Sequence, residues 1–92
     1  MAYSVNFTIE AELELSRLAD EDALLASLIL DHAERLGQSP TELSRPGGMP
    51  FLPGQRYAFW AEGEHGRKWV NLFFQYGQDE QTLWIIAISV LG

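Results

Sequence analysis

The sequence has no cysteine, which excludes a disulfide scaffold and any thiolate-based metal or redox centre. Nor has it an apolar run approaching the roughly 20 residues that a membrane-spanning helix requires. Positive charge is scarce as well. Six Lys and Arg stand against thirteen Asp and Glu, a formal net charge of −7, so the chain as a whole is not built for tight phosphate binding and nucleic acid is not an expected partner. The deficit is local: residues 1–42 hold nine acids and two bases, whereas residues 43–92 hold four of each. The opening MAYSVNFTIEAELEL lacks a basic region followed by a long apolar core. No signal peptide is expected, and a soluble cytoplasmic protein is the default. The two histidines, His32 and His65, are too far apart for metal-ligand spacing, so neither a metal site nor a cofactor is anticipated.

What the sequence does have is concentrated in its last third. Between Arg56 and Val90 the apolar residues are mostly aromatic or β-branched, types that pack well on a pleated surface. Three strands read in succession: RYAFWAE, RKWVNLFFQY and TLWIIAISV. Alternation sets Tyr57, Phe59 and Ala61 against Ala58 and Trp60, and Val70, Leu72, Phe74 and Tyr76 against Trp69, Asn71, Phe73 and Gln75. The third strand is apolar on both sides, with Leu83, Ile85 and Ala87 opposing Trp84, Ile86 and Ile88, as expected of a central or well-covered strand. The linkers at 62–66 and 77–81 are short, polar and Gly-containing, so the three form an antiparallel meander.

The first half must cover that sheet. Tyr3, Val5, Phe7 and Ile9 alternate with Ser4, Asn6 and Thr8, a half-buried strand. Ala11, Leu15 and Leu18 then fall at helical spacing, with Leu13 out of phase, predicting a helix over 10–19. Asp20 is a candidate N-cap for a second helix, with Glu21 and Asp22 in its first turn. Leu24, Leu25, Leu28 and Leu36 form the apolar stripe of that helix, and Gly37 is placed as its C′ residue. The stretch 39–55 holds all four prolines and reads as a loop with one turn near Thr41–Leu43, tacked to the core by Met49, Phe51 and Leu52. The expectation is one α+β domain spanning 1–92. It would have an N-terminal edge strand, a two-helix hairpin and a three-stranded antiparallel meander, giving one four-stranded sheet with helices on one face.

Candidate site residues fall in two groups. Arg56, Arg67 and Lys68 would meet across the first hairpin, with Arg45 from the loop and His65 at the hairpin tip, as an anion or partner site. Ordinary solubility at strand ends accounts for the same residues. Trp60, Trp69 and Trp84 are either core or an exposed aromatic interface, because two helices can cover only one face of an aromatic sheet. His32, near the apolar stripe, reads as a packed, hydrogen-bonded histidine.

The order of elements, with YSVNFTI, the Leu36-Gly37 stop, the Pro-containing loop, RYAFWAEG and VNLFFQYGQDEQTLWIIAI, resembles the RelE/ParE toxin superfamily of bacterial toxin–antitoxin systems. The resemblance implies an antitoxin protein as partner. It also implies either toxicity through a protein target, as in the gyrase-poisoning branch, or a non-catalytic module that pairs with itself. Members that cut messenger RNA carry a basic cluster on the meander and beyond the last strand. Here Tyr57-Ala58-Phe59-Trp60 lacks the charge, and Ser89-Val90-Leu91-Gly92 supplies neither a base nor a tyrosine, so a ribosome-dependent ribonuclease is the least supported reading.

Overall fold

The computed structural model describes residues 2–46 and 54–92; Met49, Phe51 and Leu52, expected to anchor the loop, lie outside them. The elements are β1 (Ser4–Phe7), α1 (Ile9–Glu21), α2 (Ala23–Gln38), α3 (Pro40–Leu43), β2 (Arg45–Pro46), β3 (Gln55–Gly63), β4 (Gly66–Tyr76) and β5 (Thr82–Leu91). They build one sheet in the order β1-β5-β4-β3-β2. β1 lies on the edge, parallel to β5, and the other pairings are antiparallel. The expected α+β architecture is present, with the two-residue β2 added to the four expected strands.

The helices cover one face. Ala11 and Leu18 from α1 and Leu25, Ile29, Ala33 and Leu36 from α2 pack on Tyr57, Phe59, Val70, Leu72, Phe74, Leu83 and Ile85. Leu24, assigned to the apolar stripe, is instead 46% exposed, and Ala33, not assigned to it, is buried. Leu13 is exposed, as its phase requires.

α1 is capped by Thr8, whose side chain accepts from the Ala11 N–H. The cap of α2 is Asp22, not Asp20: its carboxylate accepts from the Leu25 N–H at 3.0 Å. Tertiary structure makes the choice. Asp22 is buried and also accepts the Glu64 N–H at the tip of the β3–β4 hairpin, while the Glu64 carboxylate accepts the Ala23 N–H in return. His65 closes the same junction, its ring N–H donating to the Glu21 carbonyl at 3.1 Å.

Gly37 does not end α2, which continues to Gln38 with Ser39 as its C-cap. It is the point of closest approach to β1: a Cβ there would sit 2.6 Å from Val5 Cγ2 and 2.9 Å from the Tyr3 carbonyl oxygen. Tyr3 N–H bonds back to the Gly37 carbonyl at 2.8 Å.

β5 departs from simple alternation. A register irregularity between Phe73 and Phe74 leaves Phe74 opposite Ile85 and Phe73 opposite Ala87, so Ile86 is the extra residue. Such a bulge reverses side-chain parity. Leu83 and Ile85 face the helices before it, and Ile88 and Val90 pack on the same core after it. The apolar character of both faces of β5 thus reflects a change of phase, not burial on two sides, and Trp84 is 40% exposed.

Candidate functional site: the uncovered face of the sheet

With both long helices on one side, no helix among the described residues covers the opposite face. Alternation and register place its side chains in rows across the strands. One row runs Arg45–Arg56–Phe73–Ala87, the next Ala58–Asn71–Ser89, then Trp60–Trp69–Leu91, and last Glu62–Arg67. At the β1 side, Trp84 lies between Gln75 and Asn6.

The aromatic group is brought together in part. Trp60 and Trp69 are direct cross-strand partners with ring centroids 4.9 Å apart and planes tilted by 53°. The Arg67 guanidinium sits 4.4 Å from the Trp60 ring centroid, a cation–π contact that holds this cation flat on the surface. Trp60 is 53% exposed despite these contacts. Trp84 lies two strands away from Trp60, so the three tryptophans border the face and do not form one stack.

The basic group is divided by the register. Arg56 stands opposite Phe73, whereas Arg67 stands opposite Glu62 near the far end of β3. The two positions are six residue steps apart along the strand, roughly 20 Å. The meeting of Arg56 with Arg67 and Lys68 expected across the first hairpin therefore does not occur. Lys68 pairs with Ala61, on the helix-covered side, and its ammonium donates to the Gly92 carbonyl at 3.1 Å. His65 belongs to the helix junction. Arg45 and Arg56 are brought together more closely than expected, as direct cross-strand partners. Like charges so placed repel, and among the described residues the only ion pairs are those of Arg17 with Glu14 and Glu21, on α1.

Two features escaped the sequence reading. Asn71 is only 5% exposed although it lies on the face without helices, and its side-chain oxygen makes no hydrogen bond among the described residues. Its position in an alternating strand gave its face but not its burial among large neighbours. The Arg45–Arg56 opposition depends on β2, and a two-residue strand carrying a proline leaves no periodic signal.

His32, on the covered side, is packed and bonded as expected. Its ring stacks on Phe59 with centroids 3.8 Å apart, and its Nδ1 shares a hydrogen bond of 2.7 Å with the Tyr57 hydroxyl. Burial, reinforced by nearby Arg35 and opposed by Asp31, lowers the His32 pKa below its ordinary value. The pair belongs to the core wall and is turned away from the open face.

Charge is segregated between the layers. The acids of residues 1–42 lie mainly on α1 and α2, while Arg45, Arg56 and Arg67 all lie on the open face, accompanied there by Glu62. No helix among the described residues is long and apolar enough to cross a membrane.

No protein-family model matches the sequence, and neither does the sequence of any curated protein. Among solved structures, the toxin–antitoxin complex RelBE2 from Mycobacterium tuberculosis contains a chain similar to this one. The match has a TM-score of 0.72 at 16% identity and covers 97% of this chain and 98% of that one. The chain has the RelE-like fold, and the resemblance read from its order of elements holds at the level of fold.

Proposed function

We propose that the chain is a divergent RelE/ParE-like toxin-superfamily protein of a toxin–antitoxin pair, and that it acts by protein–protein interaction through the uncovered sheet face. The observation that carries this reading is the exposed aromatic border of that face, with Trp60 53% and Trp84 40% exposed around a floor of Phe73, Ala58 and Ala87. Large, rigid aromatic side chains gain much area on docking at little entropic cost and are enriched at interface centres. The structural neighbour is itself a toxin–antitoxin complex, and this supports an antitoxin as the partner. A protein target, of the kind poisoned by the gyrase-directed branch, accords with a net charge of −7 better than a phosphate-rich one.

A second reading, a non-catalytic module of the same fold, is favoured by the division of the basic residues. General acid–base and phosphorane-stabilising groups must converge within hydrogen-bond reach of one reacting centre, and Arg56 on β3 and Arg67 on β4 stand near opposite ends of the β3–β4 ladder. Tightly induced expression in a bacterial host, followed by plating counts, tests the choice. Growth arrest that Trp60→Ser/Trp84→Ser abolishes is the expected result, with soluble protein at equal level in both cultures. Normal growth with abundant soluble protein would instead favour the non-catalytic module. Arrest accompanied by cleaved transcripts, and lost in Arg56→Ala, would overturn both readings in favour of a ribonuclease.

A further inference from the structure

β5 is paired on one side along its length but on the other only in part. β4 accompanies it from Leu83 to Leu91, whereas β1 reaches only Thr82 to Ile85. Thr8 extends the contact by one step, its N–H bonding to the Ile85 carbonyl and its hydroxyl to the Ile86 carbonyl, before the chain turns away into α1. From Ala87 to Leu91 no strand among the described residues pairs with the outer edge of β5. That segment, AISVL, has no charge, no proline and no bulge within it. These are the devices by which exposed strand edges normally avoid pairing, so this edge is open to strand addition.

We infer that the free half of β5 is a dimerisation edge and that its occupant is a second copy of this chain, running antiparallel with Ser89 opposite Ser89. Two independent features select a second copy. The first is shape. In this register Ala87 faces Leu91 of the other copy, and Ile88 faces its Val90. On the open side a small residue meets a large one that is 60% exposed, and on the helix side two β-branched residues meet, a favourable cross-strand combination. The second is charge. Ile86 comes opposite Gly92, the residue whose carbonyl holds the Lys68 ammonium. Glu10 and Glu14 line the cleft between α1 and Ile86–Ile88. The twofold axis therefore brings Lys68 of each copy toward the acidic cleft of the other, on the same side of the joined sheet. Glu14 is engaged by Arg17, while Glu10 makes no ion pair among the described residues. Because the interface is isologous, it closes at two copies. It leaves the tryptophan-bordered face free, so it holds whether or not that face binds an antitoxin.

The absence of native cysteine makes the register directly testable. Ser89→Cys places two thiols across the axis, within the Cα separation that a disulfide tolerates. Under mild oxidation it is expected to give a covalent dimer at least ten times faster than Ser16→Cys, a control on the exposed surface of α1. Ala87→Cys and Leu91→Cys should each cross-link poorly alone and well when mixed. Sedimentation of the natural protein should show a concentration-dependent monomer–dimer equilibrium. Lys68→Glu should weaken it about five- to tenfold, two surface pairs being lost per dimer, and Glu10→Lys in the same chain should restore it. Far-UV circular dichroism confirms folding of each variant. A natural protein that stays monomeric at high concentration, cross-linking of Ser89→Cys no faster than the control, or assembly beyond the dimer would each overturn the inference.

Discussion

Two ionisable side chains, one buried and one half-buried, make stability depend on acidity at different points of the pH scale. Bonding to the Glu64 backbone N–H, with further help from the Leu25 and His65 N–H groups and the His65 ring and against the opposing effect of desolvation, holds the Asp22 carboxyl below its ordinary value of 3.8. Its contribution is complete above that value and is lost as pH falls through the lower folded-state pKa. His32 is also lowered, by burial first. Here the unfolded chain takes up the proton before the folded one does, so stability declines as pH drops from about the ordinary histidine value of 6.5. Thermal unfolding is therefore expected to weaken in two stages on acidification. His32→Gln should remove the upper stage and Asp22→Asn should flatten the lower one while costing several degrees at neutral pH. Arg45 and Arg56 give a second prediction at this scale. Relief of their repulsion by Arg45→Gln should raise stability by about 0.2–0.5 kcal/mol in low salt, and the gain should vanish at high ionic strength; urea titration at the two salt concentrations measures both. The packed character of His32 was legible from its place beside an apolar stripe. The choice of Asp22 over Asp20 was not, because both are good caps and only the distant Glu64 amide distinguishes them.

Among the elements, the contact between α2 and β1 rests on the missing side chain of Gly37. Helix propensity alone would make Gly37→Ala stabilising by up to about 1 kcal/mol. The added Cβ would lie 2.9 Å from a backbone oxygen that cannot move without shifting β1, and overpacking of this kind costs about 1–3 kcal/mol. The clash is expected to win, for a net loss near 1 kcal/mol in chemical denaturation, with hydrogen exchange in β1 accelerated more than in β4. Sequence periodicity revealed every element of four residues or more that packs by alternation or by helical stripe. It did not reveal β2, which has two residues, nor the bulge at Ile86, since an apolar run gives no sign of where its phase changes. The same ambiguity hid the facing of β5 beyond Ile85.

Across the whole molecule, the fold was readable because helix stripe, strand alternation and turn chemistry all agree. The site was readable only as a list of residue types, because register decides which of them meet: Trp60 with Trp69, Arg45 with Arg56, and Arg56 with neither Arg67 nor Lys68. Exposure of Trp60 and Trp84 predicts red-shifted tryptophan emission that acrylamide quenches readily in the free protein. Docking of a protein partner on this face should shift the emission to the blue and protect it, and Trp60→Ser/Trp84→Ser should abolish the shift without altering the far-UV spectrum. The separation of acids on the helices from arginines on the open face has one more consequence. It gives the molecule a permanent electric dipole directed across its thickness, superimposed on its net negative charge. In the field of an acidic partner that dipole exerts a torque turning the sheet forward and the helices away, so that those encounters that overcome the repulsion of the two net charges begin already oriented.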